Sequence, residues 1–128
     1  MLKHLNPSTV VKPFSRYSQA VEVPANARSL HISGQVGVTP DGTIPKGFEA
    51  QAKQCWVNIL AILAAASMGP EDLVKVNIFA TSADVVAASR AIREAALKGA
   101  EPASTFLVVA ALAHPDWVVE IDAVAAKA

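Results

Sequence analysis

Leu73-Val74-Lys75-Val76-Asn77-Ile78-Phe79-Ala80-Thr81 alternates in character from one residue to the next. Val74, Val76, Ile78 and Ala80 fall on one side of an extended chain, and Lys75, Asn77, Phe79 and Thr81 on the other, the period of two that a β-strand imposes. The segment is predicted to be a strand with one apolar and one partly polar face. Immediately upstream the period changes. Apolar Phe48, Ala52, Cys55, Ile59, Leu63 and Ala66 recur every three or four residues, with Glu49, Gln51, Lys53 and Gln54 on the other side. That is an amphipathic helix, stopped by Gly69-Pro70. Downstream a second helix is predicted from about Asp84, whose carboxylate suits a helix N-terminus, through Val85, Ala88, Ile92 and Ala95 to Gly99. Further out, Arg28 to Val38 reads as a strand that bends or meets something closely at Gly34, bounded by the turn residues Pro40-Asp41-Gly42. Thr105 to Leu112 and Val118 to Ala125 read as two final strands, separated by the loop 113–117. Strands, helix, strand, helix and two strands predict an α+β domain over residues 1–128, a mixed sheet with two helices on one face.

The composition asks what covers the other face. Of 128 residues 52% are hydrophobic and only 17% charged, below the roughly 25% charged residues of an ordinary soluble domain. Phe106 to Leu112 is apolar at every position, which fits a strand buried on both sides. A second copy of the chain is the expected cover. Eleven Lys and Arg balance eleven Asp and Glu, so nothing draws the chain to nucleic acid or to an anionic membrane. Cys55 is the single cysteine, and His4, His31 and His114 have no histidine partner at ligand spacing, so neither a disulfide nor a metal site is expected. The first residues lack the apolar core of a signal peptide, and the apolar run 57–66 is too short to span a bilayer. These readings lead to the expectation of a cytoplasmic protein with no membrane partner.

Polar groups that stand out on apolar faces are few. Glu120 and Asp122 point the same way from the last strand, roughly 7 Å apart, between Val118 and Val124. Lys75 and Asn77 are their candidate partners on the neighbouring face. Such a set is either a structural ion-pair network or an acid/base pair. Cys55, on the apolar stripe of the first helix, is expected to behave as a small hydrophobe. Tyr17 is either a ligand-binding hydroxyl or a loop anchor.

Four segments, Ile32-Ser33-Gly34-Gln35, Glu71 to Val76, Pro102-Ala103-Ser104-Thr105 and Glu120 to Ala125, resemble in order the landmarks of the RidA (YjgF) family of reactive-intermediate deaminases. The resemblance implies a chorismate-mutase-like subunit with a six-stranded mixed sheet. It also implies a homotrimer whose sheets line a central barrel, with a cleft between each pair of subunits. Typical members hydrolyse 2-imino and 2-enamino acids to 2-oxo acids and ammonia with a cleft water and no cofactor or metal.

Residue by residue, the resemblance makes Glu120 the water-positioning, catalytic group, and Tyr17, Ser33 and Gly34 binding positions. An arginine that grips the substrate carboxylate usually follows the Pro-Ala pair, and here that position is Ser104. A common asparagine of the second helix matches Ser89, and Phe106 stands where a smaller residue is frequent. A hydroxyl lacks the charge and fork of a guanidinium, so the chain is not expected to be a standard 2-imino acid deaminase. A substitute would be sought at Arg16 or Arg90. The implied function is binding, with hydrolysis, of a small imine, enamine or related metabolite between subunits. The alternative is a non-catalytic, metabolite-sensing or chaperone-like trimer of the same fold. A ribonuclease, a label this family sometimes carries, fits poorly with zero net charge and unpaired histidines.

Overall fold

A computed structural model describes residues 1–128. The structure contains strands β1 (Lys3–Leu5), β2 (Ala20–Glu22), β3 (Arg28–Val36), β4 (Leu73–Ala80), β5 (Ala103–Val108) and β6 (Val119–Lys127), of which β3 to β6 are the four read from the sequence and β1 and β2 are not. Two helices, α1 (Phe48–Ala65) and α2 (Val86–Leu97), flank β4 in sequence. The main sheet runs β3-β6-β4-β5, with β6 antiparallel to both its neighbours and β4 parallel to β5. The mixed sheet and two helices are therefore as expected. The six strands, however, are divided between two sheets, because β1 and β2 form a separate antiparallel pair. Those strands are three residues long and largely exposed, so they have no apolar face to contribute to the main sheet. A single bridge from Ser18 to Ala103 ties their segment to β5.

Burial follows the alternation. Val119, Ile121, Ala123 and Ala125 of β6 and Val76, Ile78 and Ala80 of β4 lie in the core beneath Ala52, Cys55, Trp56, Ile59 and Leu63 of α1. Val74 departs from its expected place. A register shift against β6 between Leu73 and Lys75 carries Leu73 into the core and leaves Val74 half-buried. The second helix is also rotated from its expected stripe. Its buried row is Ser89, Arg93 and Leu97, four residues apart, while Ile92 and Ala96 pack at the margin of α1. Contact with α1 takes up the apolar edge, and the polar row is what faces the interior.

The last apolar run differs most. β5 stops at Val108, lies at the edge of the sheet, and leaves Leu107 48% and Val108 51% exposed. Pairing with β4 covers one side of the strand only, and beyond the bond from Val109 N–H to the Ala80 carbonyl, 2.8 Å, the chain leaves the ladder.

Two polar side chains of α1 act as struts. Gln51, read from sequence as solvent-facing, is buried. Its Nε2 donates to the carbonyls of Pro45 at 3.0 Å and Asp116 at 2.9 Å, and its Oε1 accepts from Val118 N–H at 3.0 Å. Asn58 Nδ2 donates to the carbonyls of Val36 and Val38, both at 3.2 Å. Together they fasten the loops before α1 and before β6 to the helix. Cys55 is fully buried, with its Sγ donating to the Gln35 carbonyl at 3.3 Å. Burial, helped by the charge of Glu120, raises its pKa from the ordinary 9.0 to about 12.

Gln51→Ala is expected to destabilise the fold by about 1–3 kcal/mol, read from urea denaturation, because a half-buried N–H and two carbonyls lose their partner together. Cys55 is expected to resist iodoacetamide at pH 8 until denaturant unfolds the chain. Since its pKa is raised, the stability linked to the neutral thiol holds below pH 9 and declines as pH rises toward 12. Rapid native-state alkylation would contradict the burial.

Candidate functional site

The register of β5 on β4 sets Ser104 opposite Val76 and Phe106 opposite Ile78. Both side chains therefore project from the side of the sheet that the helices cover. Here α2 presents its polar row, and the segment 14–17 closes over the top. The result is a pocket of about 270 Å³ lined by Phe14, Tyr17, Ser89, Arg93, Ser104 and Phe106, with Ser15, Val86 and Arg90 completing its walls. Phe14 N–H donates to the Tyr17 hydroxyl at 3.2 Å, holding the segment in a tight turn.

Arg93 is the unusual member. It is only 4% exposed. Its Nη2 donates to Ser15 Oγ at 2.8 Å, and its guanidinium carbon stands 6.0 Å from the centre of the Tyr17 ring. Its Nε is buried with no hydrogen-bond partner. Burial lowers its pKa from the ordinary 12.5, and Arg90 adds to that, while Glu94 and Tyr17 oppose it. Four of the residues singled out from sequence, Tyr17, Ser89, Ser104 and Phe106, thus meet in one pocket. Arg93 and Ser15 were missed, because an arginine between Ile92 and Glu94 reads as a solvent-facing charge. The available signal was its position four residues after Ser89, which places the two on one helix face. Arg90 does reach the pocket wall, whereas Arg16 is exposed and does not line it.

Glu120, Ser33 and Gly34 lie elsewhere. Glu120 is opposite Phe79 in the ladder, so its side chain leaves the sheet on the face away from the helices. The close approach expected at Gly34 is present, and its cause is this carboxylate. A Cβ on Gly34 would lie 1.9 Å from Glu120 Oε2. Gly34 sits where β3 slips its register against β6, between Ile32 and Gln35. Within one chain, then, the expected site falls into two groups on opposite faces of one sheet.

Only part of the candidate network of Glu120, Asp122, Lys75 and Asn77 forms. Asn77 Nδ2 donates to Asp122 Oδ1 at 2.7 Å, but Lys75 Nζ turns to Thr105 Oγ1 at 2.7 Å instead of to a carboxylate. Asp122 is thereby held by a neutral amide as a structural pair. His114 stacks on Trp117 with ring centres 5.2 Å apart and its Nδ1 accepts from Asp116 N–H at 3.0 Å, a loop-shaping role. No three His, Cys, Asp or Glu side chains gather closely enough to hold a metal ion, and no helix is long and apolar enough to cross a membrane.

The chain resembles known proteins along nearly its whole length. The family model described as Endoribonuclease L-PSP matches residues 8–127. The mouse 2-iminobutanoate/2-iminopropanoate deaminase is 34% identical over 113 residues, 87% of this chain and 81% of that protein. A RutC family protein of Pyrococcus horikoshii is 32% identical over 118 residues, 91% of this chain and 90% of that one. Among solved structures, a Rid family protein of Yersinia pestis, of unknown function, superposes with a TM-score of 0.88 at 32% identity, covering 98% of each chain. The YjgF gene product of Escherichia coli superposes at 0.74 with 29% identity, over 98% of this chain and 99% of its own. A four-stranded mixed sheet under two helices, this pocket and these matches agree: the chain belongs to the RidA/YjgF family, whose model carries the description Endoribonuclease L-PSP.

Proposed function

We propose that the chain works as a cytoplasmic homotrimer of one domain per subunit, and that it binds and hydrolyses a small imine or enamine in a cleft between copies. Glu120 of one copy, with Ser33 and Gly34 beside it, faces the pocket of Tyr17, Ser89, Ser104 and Phe106 of the next. The observation that carries this reading is the contact between Glu120 and Gly34. A glutamate seated against a residue with no side chain keeps its carboxylate close to the β3 backbone, half-buried on the face away from the helices, where it is proposed to hold a water. The uncovered Leu107 and Val108 at the neighbouring sheet edge supply apolar surface for a second copy.

The chemistry needs no more than these groups. Water attacks the C=N carbon while Glu120 accepts its proton, giving a tetrahedral carbinolamine. The same carboxyl returns the proton to nitrogen; as the C–N bond breaks, the hydroxyl proton passes to the carboxylate and on to the departing ammonia, leaving a ketone or oxo acid. The hydroxyls of Tyr17, Ser89 and Ser104 orient the substrate, and Phe106 narrows the pocket around its apolar part. Ser104, at the position where arginine grips a carboxylate in the deaminases this chain resembles, offers one hydrogen bond without charge. The mouse relative is named for 2-iminobutanoate and 2-iminopropanoate. Turnover of these two by this chain is expected to be slower than by arginine-bearing relatives.

Light scattering at micromolar concentration is expected to give three times the 13.3 kDa chain mass, and a monomer would overturn the shared cleft. Imines generated in situ by an amino-acid oxidase test the chemistry. Accelerated loss of at least one imine is expected, falling about 10²–10⁴-fold in Glu120→Gln with the trimer intact. Gly34→Ala is the positioning test: its methyl group displaces the carboxylate, so activity should fall while thermal stability stays near that of the parent. If no imine in the panel is consumed faster than in buffer, the hydrolytic reading fails. If Glu120→Gln keeps full activity, Glu120 is not the base.

A further inference from the structure

We propose that Arg93 is the anion anchor of the pocket, and that the pocket's ligand is a small monocarboxylate held by its guanidinium. The inference rests on the reading above for the pocket being a ligand site, and adds the class of what it holds. A guanidinium removed from water is costly unless an anion accompanies it. Arg93 has no such companion within the chain: its partners are the Ser15 hydroxyl and the face of Tyr17, both neutral. One of its nitrogens, Nε, is buried without any partner. The acid that acts on it, Glu94, is its neighbour on α2 and does not line the pocket, whereas a second arginine, Arg90, does. The pocket thus combines two guanidinium groups, no carboxylate, the hydroxyls of Ser89 and Ser104, and the rings of Phe14 and Phe106.

Charge, planarity and size select the ligand. A carboxylate matches the fork of a guanidinium with two parallel hydrogen bonds, and the aromatic walls suit a short apolar tail. A volume of about 270 Å³ leaves little room beyond a small organic acid. Because the anchor rises from α2 and not from β5, the carboxylate is gripped from the wall facing Ser104. A chain with serine at 104 therefore keeps a cation for an acidic ligand, in a different position relative to the sheet.

The test uses 2-oxobutanoate, the stable acid that hydrolysis of 2-iminobutanoate would yield, in calorimetric titration of the assembled protein. Binding is expected to weaken at least tenfold in Arg93→Gln and by less in Arg93→Lys, which keeps the charge but not the fork. It is expected to be unchanged in the control Lys98→Gln, an exposed residue of the same region. Ser104→Arg in the Arg93→Gln background is expected to restore affinity, because it returns a guanidinium to the opposite wall. Should Arg93→Gln fail to fold, the wild-type Arg93 Nε–H resonance serves instead, and it is expected to shift on adding 2-oxobutanoate but not butanamide. Undiminished binding by folded Arg93→Gln, an unmoved resonance, or inorganic phosphate binding as tightly as 2-oxobutanoate would overturn the assignment. Imine hydrolysis with 2-oxobutanoate binding indifferent to Arg93 would sink this anchor and leave the hydrolase standing. Arg93-dependent binding without hydrolysis would do the reverse.

Discussion

Everything in the fold hangs on the register of β6, which pairs with β3 on one side and β4 on the other. Its alternation sends Val119, Ile121, Ala123 and Ala125 under the helices and Glu120 and Asp122 to the opposite face. A slip of one residue would exchange the two sets and thrust two carboxylates into a core with no cation to receive them. Register is therefore held by energies much larger than any single ladder bond. β3 is adjusted to β6 and not the reverse: its irregularity falls at Ser33-Gly34, where Glu120 needs space.

The same constraint divides the chemistry. A strand cannot present Glu120 and Ile121 to one face, so the glutamate is committed to the side away from α1 and α2. The pocket of Tyr17, Ser89, Ser104 and Phe106 is committed to the helix side by the pairing of β5 with β4. No local rearrangement joins these groups within a chain. This is the physical basis for the proposal that the reaction lies between copies, and the exposed Leu107 and Val108 of β5 are the apolar surface that proposal uses.

Polar groups enter the interior only with a task. Gln51 and Asn58 exchange solvent for backbone carbonyls and N–H groups that loops would otherwise leave unpaired. Asp72 accepts from Gly69 N–H at 2.9 Å and stops the chain between α1 and β4. Arg93 is different, since its surroundings satisfy it only in part. That incompletely paired cation beside the pocket is the feature on which the proposed carboxylate site rests.

The sequence by itself determined the two helices, the four strands of the main sheet and their order. Periods of two and of three to four are local properties, so the strand at Leu73, the helix at Phe48 and the outward pair Glu120 and Asp122 were legible residue by residue. The close approach at Gly34 was legible too, though not the identity of Glu120 as its cause, because that depends on how β3 registers against β6. Ser89, Ser104, Phe106 and Tyr17 could be named from motif likeness, but only tertiary structure showed that they share a pocket while Glu120 stands on the other face. Gln51 and Arg93 were hidden for one reason. A polar residue on a helix looks solvated until the packing of its neighbours decides which face is buried, and α2 gave its apolar edge to α1 and turned its arginine inward.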